Sequence, residues 1–236
     1  MSEYISCHKK ILNQIDLLFL FTQTDMTLIE LKILCEFLDR ISDEEELRLA
    51  QFEKSDFEAD LGLAPMQGSE FRDQLQKFTR VIKPVGKTEV NGKRLKQERL
   101  FNNVDVWLEE DGIWLAHLGC TYAARQTVFC PNNICAEYLR DFISKMVHIT
   151  SRHSFVMYLY LELNRRKKIW DAVWDVDLNE LKAILQCDTD TYTSFRKFND
   201  MVIKKCQMDL AEKTALHFNY IPVKRSGRII GLHISV

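Results

Sequence analysis

Apolar residues recur with a helical period in the first third of the chain. The first such stretch has its apolar side chains at Leu28, Leu31, Leu34, Cys35 and Leu38. Thr27 and Glu30 stand at its start with the spacing of a capping box, in which the hydroxyl and the carboxylate each accept a backbone amide. The pattern therefore predicts an amphipathic helix from residue 28 to about residue 41.

Two further helices follow in the same part of the chain. Ser55 and Glu58 also have capping-box spacing, and they predict a short helix that ends near Gly62. The next helix ends before Pro84, and its apolar stripe consists of Phe71, Leu75, Phe78 and Ile82.

The period then changes to that of β-strands. Asn91 and Gly92 form the dipeptide most typical of a two-residue hairpin, and Asp111 and Gly112 mark a second hairpin between alternating stretches. Three helices followed by a β-ribbon is the order of a winged helix. Residues 131–146 then predict an amphipathic helix between two halves of the chain.

The same order of elements recurs in the second half. Residues 152–164 are apolar almost all round and predict a buried helix, and residues 169–176 predict a short strand. Asp177 caps a short helix, residues 192–212 form a long one, and residues 216–224 and 228–236 form a hairpin that turns at 225–227. We predict an α+β fold, mainly helical with β-hairpin wings, made of two tandem winged-helix domains at residues 1–146 and 147–236.

The charge distribution along the chain favours a polyanionic binding partner. The 236 residues have a net charge of -2, but residues 151–236 hold 14 Lys and Arg against 10 Asp and Glu. The preceding residues hold 18 against 24 and include acidic runs at 43–46 and 109–111. The second domain is therefore expected to be the main DNA-binding domain, and the acidic runs of the first must face away from DNA.

The helix at residues 192–212 offers the face for a major groove. At about 100° per residue, the inward stripe would hold Phe195, Phe198, Val202 and Cys206. The opposite face would present Thr193, Lys197, Asp200 and Lys204, with Arg196 on its flank. The alternative interpretation is a polar helix face that only meets solvent.

Cations near turns and helix ends extend this candidate DNA surface. The second hairpin carries Lys224, Arg225 and Arg228 at its tip, where they could reach a DNA backbone or merely protect a sheet edge. Ser151 and Arg152 begin the buried helix, where amides, a hydroxyl and a guanidinium could hold a phosphate. Residues 165–168 are all basic, which a helix C-terminus would also explain.

The first domain offers weaker candidates for DNA contact. Lys77 and Arg80 are expected on the exposed face of its third helix, which mixes both signs of charge. Lys93 and Arg94 lie in the hairpin at Asn91 and make it a plausible basic wing. We expect this domain to add backbone contacts or to form a homodimer.

Other chemistries find little support in the sequence. It has no glycine-rich phosphate loop and no catalytic motif, so we expect neither an enzyme nor a cofactor. His117, Cys120, Cys130 and Cys135 could be pictured as a zinc site, but their spacing matches no standard knuckle and scattered free thiols are the favoured interpretation. The apolar run at residues 15–21 is too short to cross a bilayer, and we expect a cytoplasmic bacterial protein with no membrane partner.

Four stretches of the second half resemble the C-terminal domain of iteron-binding plasmid replication initiators. They are SRHSFVMYLYL (151–161), DLNELKAIL (177–185), YTSFRKFN (192–199) and VKRSGRIIGL (223–232). TLIELKIL (27–34) resembles the opening helix of that family more loosely. The resemblance covers about residues 147–236 well and residues 25–146 in outline.

The resemblance implies a tandem winged-helix protein that binds repeated origin sequences as double-stranded DNA and helps to open the origin. It implies recruitment of host replication proteins, dimers formed through the first domain, and no nuclease or ATPase activity. Arg196 and Lys197 would contact the major groove, whereas Ser151, Arg152, Lys224, Arg225 and Arg228 would hold the backbone. A transcriptional regulator of the same fold and a protein-interaction module without DNA binding stay open as alternatives.

Overall fold

The computed structural model describes residues 2–41, 48–85, 89–90, 93–94, 97–130, 134, 136–167 and 172–236. For residues 2–7, 89–90, 93–94 and 136 it describes the backbone alone.

The first half contains the elements of one winged helix together with additional helices. The helices are α1 (Ser2–Thr22), α2 (Leu28–Arg40), α3 (Lys54–Leu61), α4 (Gly68–Gln76), α5 (Tyr122–Thr127) and α6 (Ala136–Met146), and a 3-10 turn at Lys77–Thr79 extends α4. The strands are β1 (Leu49–Glu53), β2 (Glu89–Val90), β3 (Lys93–Arg94), β4 (Phe101–Leu108) and β5 (Trp114–Cys120). The winged helix itself follows the order α2, β1, α3, α4, β4, β5.

The second half repeats that order with its own elements. They are α7 (Arg152–Lys167), β6 (Val173–Asp177), α8 (Leu178–Ile184), α9 (Phe195–Phe198), α10 (Lys204–Lys213), β7 (Asn219–Arg225) and β8 (Arg228–Ser235). A π-helical segment at Asn199–Ile203 joins α9 to α10 without a break. We call residues 195–213 the composite helix.

The two halves also share a sheet topology. Each has an antiparallel three-stranded sheet in which the last strand lies in the middle, in the orders β1-β5-β4 and β6-β8-β7. The short pair β2-β3 forms a hairpin of its own. The predicted α+β fold of two tandem winged helices is therefore confirmed.

Local capping explains where several helices begin. Thr27 Oγ1 accepts the amide of Glu30, and Glu30 Oε2 accepts the amide of Thr27 at 2.7 Å, so the predicted capping box is present. Asp177 Oδ1 accepts the amides of Asn179 and Glu180, which starts α8 as predicted. Ser55 is different, because α3 already begins at Lys54 and the Ser55 hydroxyl donates to Glu53 instead, so the second predicted capping box is wrong.

The core runs through both halves as one cluster of buried apolar side chains. Phe37 and Phe101 pack edge to face at 5.0 Å in the first half, and Phe142 of α6 packs on Phe155 of α7 at 5.8 Å. Helix α1 lies against α7, with Phe19 and Tyr160 in ring contact at 6.4 Å. The first helix of the chain thus packs on the second winged helix.

The sequence pattern did not predict α1, β1 or α5. The residues of α1 are buried on several sides by α2 and α7, so they lack the single apolar stripe that identifies a surface helix. Strand β1 has only five residues and is specified by its partner β5, where Phe52 lies opposite Ala116. The hairpin at β2-β3 agrees with the prediction, but Asn91 and Gly92 lie outside the described residues.

Candidate nucleic-acid interface

The composite helix begins three residues later than its pattern predicted. Ser194 is the N-cap, with its hydroxyl accepting the amide of Lys197, and a 3-10 turn at Asp190–Tyr192 precedes it. Thr193 therefore lies before the helix instead of on its exposed face, and its carbonyl accepts Lys182 Nζ at 3.2 Å. The placement of Thr193 on that face is corrected, because the Ser194 cap competes successfully for the helix start.

A π turn inside the composite helix resets which residues face outward. The amide of Lys204 donates to the carbonyl of Asn199, five residues back, so this turn holds one residue more than an α-helical turn. The buried stripe steps forward by one residue across it and consists of Phe198, Val202, Ile203, Cys206 and Leu210. The projection at a constant helical step places Phe198, Val202 and Cys206 in this stripe, and the structure adds Ile203 and Leu210.

The reset phase groups the exposed side chains of the composite helix into two rows. The first row is an ion-pair ladder in which Asp200 lies between Lys204, 2.7 Å away, and Arg196, 3.9 Å away. The hydrogen bond from Lys204 holds the pKa of Asp200 below its ordinary value. The second row consists of Lys197, Met201 and Lys205, all exposed.

The wing presents its cations at a tight turn. Ser226 and Gly227 both have positive φ, 50° and 76°, as a type I′ turn requires, and Arg225 lies opposite Arg228 in the ladder. Lys224, Arg225 and Arg228 are all exposed. The register shifts between Val223 and Lys224, and Ile230 is therefore exposed instead of continuing the inward alternation.

A hydrogen bond connects the wing to the composite helix. The Tyr220 hydroxyl of β7 donates to Asn199 Oδ1 at 2.7 Å, at the first residue of the π turn. The Asn199 side chain thus fixes the strand that leads to the wing against the helix that bears Arg196 and Lys197. This hydrogen bond therefore ties together the two elements predicted to contact DNA.

A cleft of about 370 Å³ separates the composite helix from the start of α7. Its lining consists of Ser151, His153, Tyr192, Met201, Val202, Lys205 and Cys206. The Ser151 hydroxyl accepts the Ser154 amide at 3.4 Å as a helix cap, and Lys205 brings a positive charge to the same cleft. This arrangement suits a DNA phosphate near the α7 N-terminus, so Ser151 stays a predicted contact.

Arg152 is turned away from that cleft and toward the first half of the chain. Its guanidinium donates to the carbonyl oxygens of Thr22 at 2.7 Å, Met26 at 3.3 Å and Thr24 at 3.4 Å. Burial lowers its pKa. The structure therefore gives Arg152 a role in joining the two halves, and its contact with DNA stays a prediction.

The candidates of the first half are less available than those of the second. Arg80 follows the 3-10 turn, so it is not on the exposed face of α4, and it pairs with Asp25 at 2.8 Å and Glu30 at 3.0 Å. Lys77 lies within that turn and donates to Gln74 Oε1 at 3.1 Å while remaining exposed. The side chains of Lys93 and Arg94 lie outside the described residues.

Other features singled out in the sequence have structural partners. Arg165 and Arg166 both pair with the buried carboxylate of Glu162, at 2.8 and 2.7 Å, and residue 168 lies outside the described chain. His117 Nε2 lies 3.2 Å from Gln51 Oε1 and Cys120 is buried, whereas Cys135 is not described. Among the described residues, no three His, Cys, Asp or Glu side chains are grouped to hold a metal ion, and no helix is long and apolar enough to span a membrane.

Two residues of this surface were missed by the helical projection. At about 100° per residue Met201 lies about 40° and Lys205 about 80° from Lys197, and the extra residue of the π turn reduces this divergence. The sequence signal that could have found them is their spacing of four and eight residues from Lys197, which makes them its neighbours on a helix surface.

A comparison with known protein families matches the segment that contains this surface. Residues 177–236 match the family model described as "Initiator Rep protein, WH2", which contains the composite helix and the wing. The predicted resemblance to replication initiators is thereby confirmed for this part of the chain. No curated protein matches the chain by sequence.

Solved structures extend the similarity in fold to most of the chain. The Pi initiator protein, solved in complex with iteron DNA, superposes with a TM-score of 0.62 at 15% identity, covering 93% of this chain and 92% of that one. Domains 2 and 3 of RctB superpose with a TM-score of 0.49 at 13% identity, covering 93% of this chain and 80% of that one. The first of these likenesses shows a shared tandem winged-helix fold.

Proposed function

We propose that this chain is a plasmid replication initiator that binds repeated origin DNA sequence-specifically, chiefly through its second winged helix. One observation carries the proposal: the segment that matches the initiator model is the segment whose composite helix and wing both expose cations. The iteron complex of the Pi initiator, which has the same fold, supports the choice of DNA.

Each part of the surface has a distinct task in this proposal. The composite helix enters the major groove with Arg196 and Lys197 near its N-terminal end, where such helices meet base edges. Lys224, Arg225 and Arg228 hold the phosphate backbone from the wing and supply affinity without reading sequence. Ser151 and Lys205 hold one further phosphate in the cleft.

The first half has a different role in the proposal. Arg80, which follows the 3-10 turn after α4, is already paired with two carboxylates, so we expect little DNA affinity from that position. We propose that residues 1–146 mediate homodimerisation and contacts with host replication proteins, and that origin opening follows from binding. The proposal assigns the chain no reaction and no cofactor of its own.

The direct experiment is a binding titration against the repeats of its own plasmid at several salt concentrations. We expect Arg228→Ala to weaken binding and to reduce the slope of log affinity against log salt by about 0.9, one phosphate contact. Arg140→Ala is the control, since this exposed arginine lies on α6 beside Asp39. Binding that ignores sequence, or an equal loss of slope in the control, would contradict the proposal.

A replication assay separates initiation from regulation. The chain supplied in trans should restore replication of a plasmid that lacks its initiator gene, and Arg228→Ala should restore it less well. A transcriptional regulator would repress from the same repeats without restoring replication, and an interaction module would shift no duplex at all.

A further inference from the structure

Met201 is an exposed apolar side chain in the middle of a cationic helix face. Its side chain is 45% exposed, and it lies in one row with Lys197 and Lys205 on the composite helix. The structure places Met201 at the edge of the cleft instead of in the core. A side chain in this position is suited to contact an apolar group of a ligand.

Met201 differs from a second exposed methionine in its position along the helix. Met201 is in the second turn of the composite helix, where recognition helices reach base edges. Met208 is even more exposed, at 70%, but it lies about 10 Å further along the helix axis at 1.5 Å per residue. Only Met201 is therefore placed to meet a base if the helix enters the groove by its N-terminal end.

The major groove of DNA offers one apolar group that fits this side chain. Thymine presents a 5-methyl group there, whereas none of the other three bases carries a methyl group. A methionine side chain is flexible and polarizable, so it can close over a methyl group without exact shape matching. Lys197 and Lys205 lie one helical turn to either side of Met201, and they would hold this row of three side chains against the DNA.

We infer that Met201 reads thymine, through contact between its side chain and the 5-methyl group in the major groove. This inference rests on the proposed function and adds a residue that determines sequence preference. It concerns one or two base positions, and it requires no contact from the first half of the chain.

The test replaces thymine by deoxyuridine, which lacks only the methyl group. Wild-type protein first selects its preferred duplex from a random pool, and each thymine of that duplex is then replaced in turn. We expect about fourfold weaker binding at one or two positions, the value of one buried methyl group. Met201→Ala should bind the thymine and uracil forms equally at those positions.

Two further variants complete the comparison. Met208→Ala should keep the wild-type pattern, and Met201→Leu should keep part of it, because leucine still offers an apolar contact. Thermal unfolding checks that each variant is folded. A Met201→Ala protein that keeps the full uracil effect would overturn the inference alone, whereas failure of wild type to select any shared sequence would overturn the proposed function as well.

Discussion

A single carboxylate limits the positive charge of the composite helix. Asp200 lies fully exposed between Lys204 and Arg196, on the face proposed to meet DNA. Both cations are therefore partly neutralised in the free protein, and the carboxylate itself would face phosphates. Its pKa is already below the ordinary value, so it stays ionised at neutral and mildly acidic pH.

We predict that Asp200→Asn strengthens DNA binding. Removing one negative charge leaves Arg196 and Lys204 free to contact phosphates, so affinity should rise several-fold at low salt and less at high salt. Fluorescence anisotropy over a salt series measures the effect, with Asp111→Asn in the exposed β4–β5 turn as the matched control. A loss of affinity would instead indicate that Asp200 accepts a hydrogen bond from a cytosine amino group.

A buried carboxylate lies at the junction of three helices in the first half. Glu36 of α2 is 1% exposed, and its Oε2 accepts Arg40 Nε at 3.1 Å while Oε1 has no hydrogen-bond partner. Asp60 of α3 and Asp39 of α2 lie nearby, and Arg140 of α6 lies 3.4 Å from Asp39. Burial, reinforced by Asp60, raises the pKa of Glu36 from 4.5 to about 7.

We predict that this junction makes stability depend on pH. The folded protein holds a proton on Glu36 that the unfolded chain releases, so the contribution is fully present below pH 4.5 and is lost as pH rises to about 7. The loss should be on the order of 2–3 kcal/mol, and Glu36→Gln should abolish it. Urea unfolding of both proteins between pH 4.5 and 8 gives the difference.

A substitution elsewhere provides the comparison for that experiment. Glu110→Gln makes the same glutamate-to-glutamine change at the exposed β4–β5 turn. It should leave the pH dependence of the unfolding free energy as it is in the wild type. If the free-energy difference between Glu36→Gln and wild type is the same at every pH, Glu36 does not titrate in the folded state.

The two winged helices are joined as parts of one folding unit. One hydrophobic core spans both, and polar contacts cross the junction at the end of α1. Arg152 donates to three carbonyl oxygens there, Gln186 Nε2 donates to the Thr22 carbonyl at 2.9 Å, and Gln23 Nε2 donates to the Ile184 carbonyl at 3.1 Å. The buried Lys32 similarly joins α3 to the end of α6 by donating to the carbonyl oxygens of Leu61 and Val147.

We predict that Arg152→Gln lowers the unfolding free energy of the protein and has a smaller effect on its DNA binding. Three partly buried carbonyls lose their charged donor, which should cost about 2–4 kcal/mol of unfolding free energy. Arg196→Gln is the matched control, because that side chain is 94% exposed and should change stability by less than about 0.5 kcal/mol. Urea unfolding measures both variants.

The same pair of variants tests the phosphate contact predicted for Arg152. Below the unfolding transition, Arg152→Gln should retain the wild-type salt dependence of DNA binding, whereas Arg196→Gln should reduce it. A reduced salt slope in folded Arg152→Gln would instead restore Arg152 to the DNA surface.

The sequence by itself determined the features that local interactions specify. The capping box at Thr27, the Asp177 cap and the Ser226-Gly227 turn each depend on side chains a few residues apart, and all were read correctly or nearly so. The order in which helical and strand periodicities of the apolar residues follow one another along the chain was sufficient to predict two winged helices. The exposure of the cationic wing residues could be predicted from their place at a hairpin tip alone.

Tertiary structure decided whatever depends on residues far apart in the chain. Helix α1 is specified by its burial against α7, and Arg80 and Arg152 are bound by partners more than 50 residues away. The π turn lies where both Val202 and Ile203 are buried in the core, and it brings Met201 and Lys205 closer to the line of Lys197 along the helix. A helical projection assumes a constant step, so it could identify the helix proposed to face DNA but not every residue on its outer face.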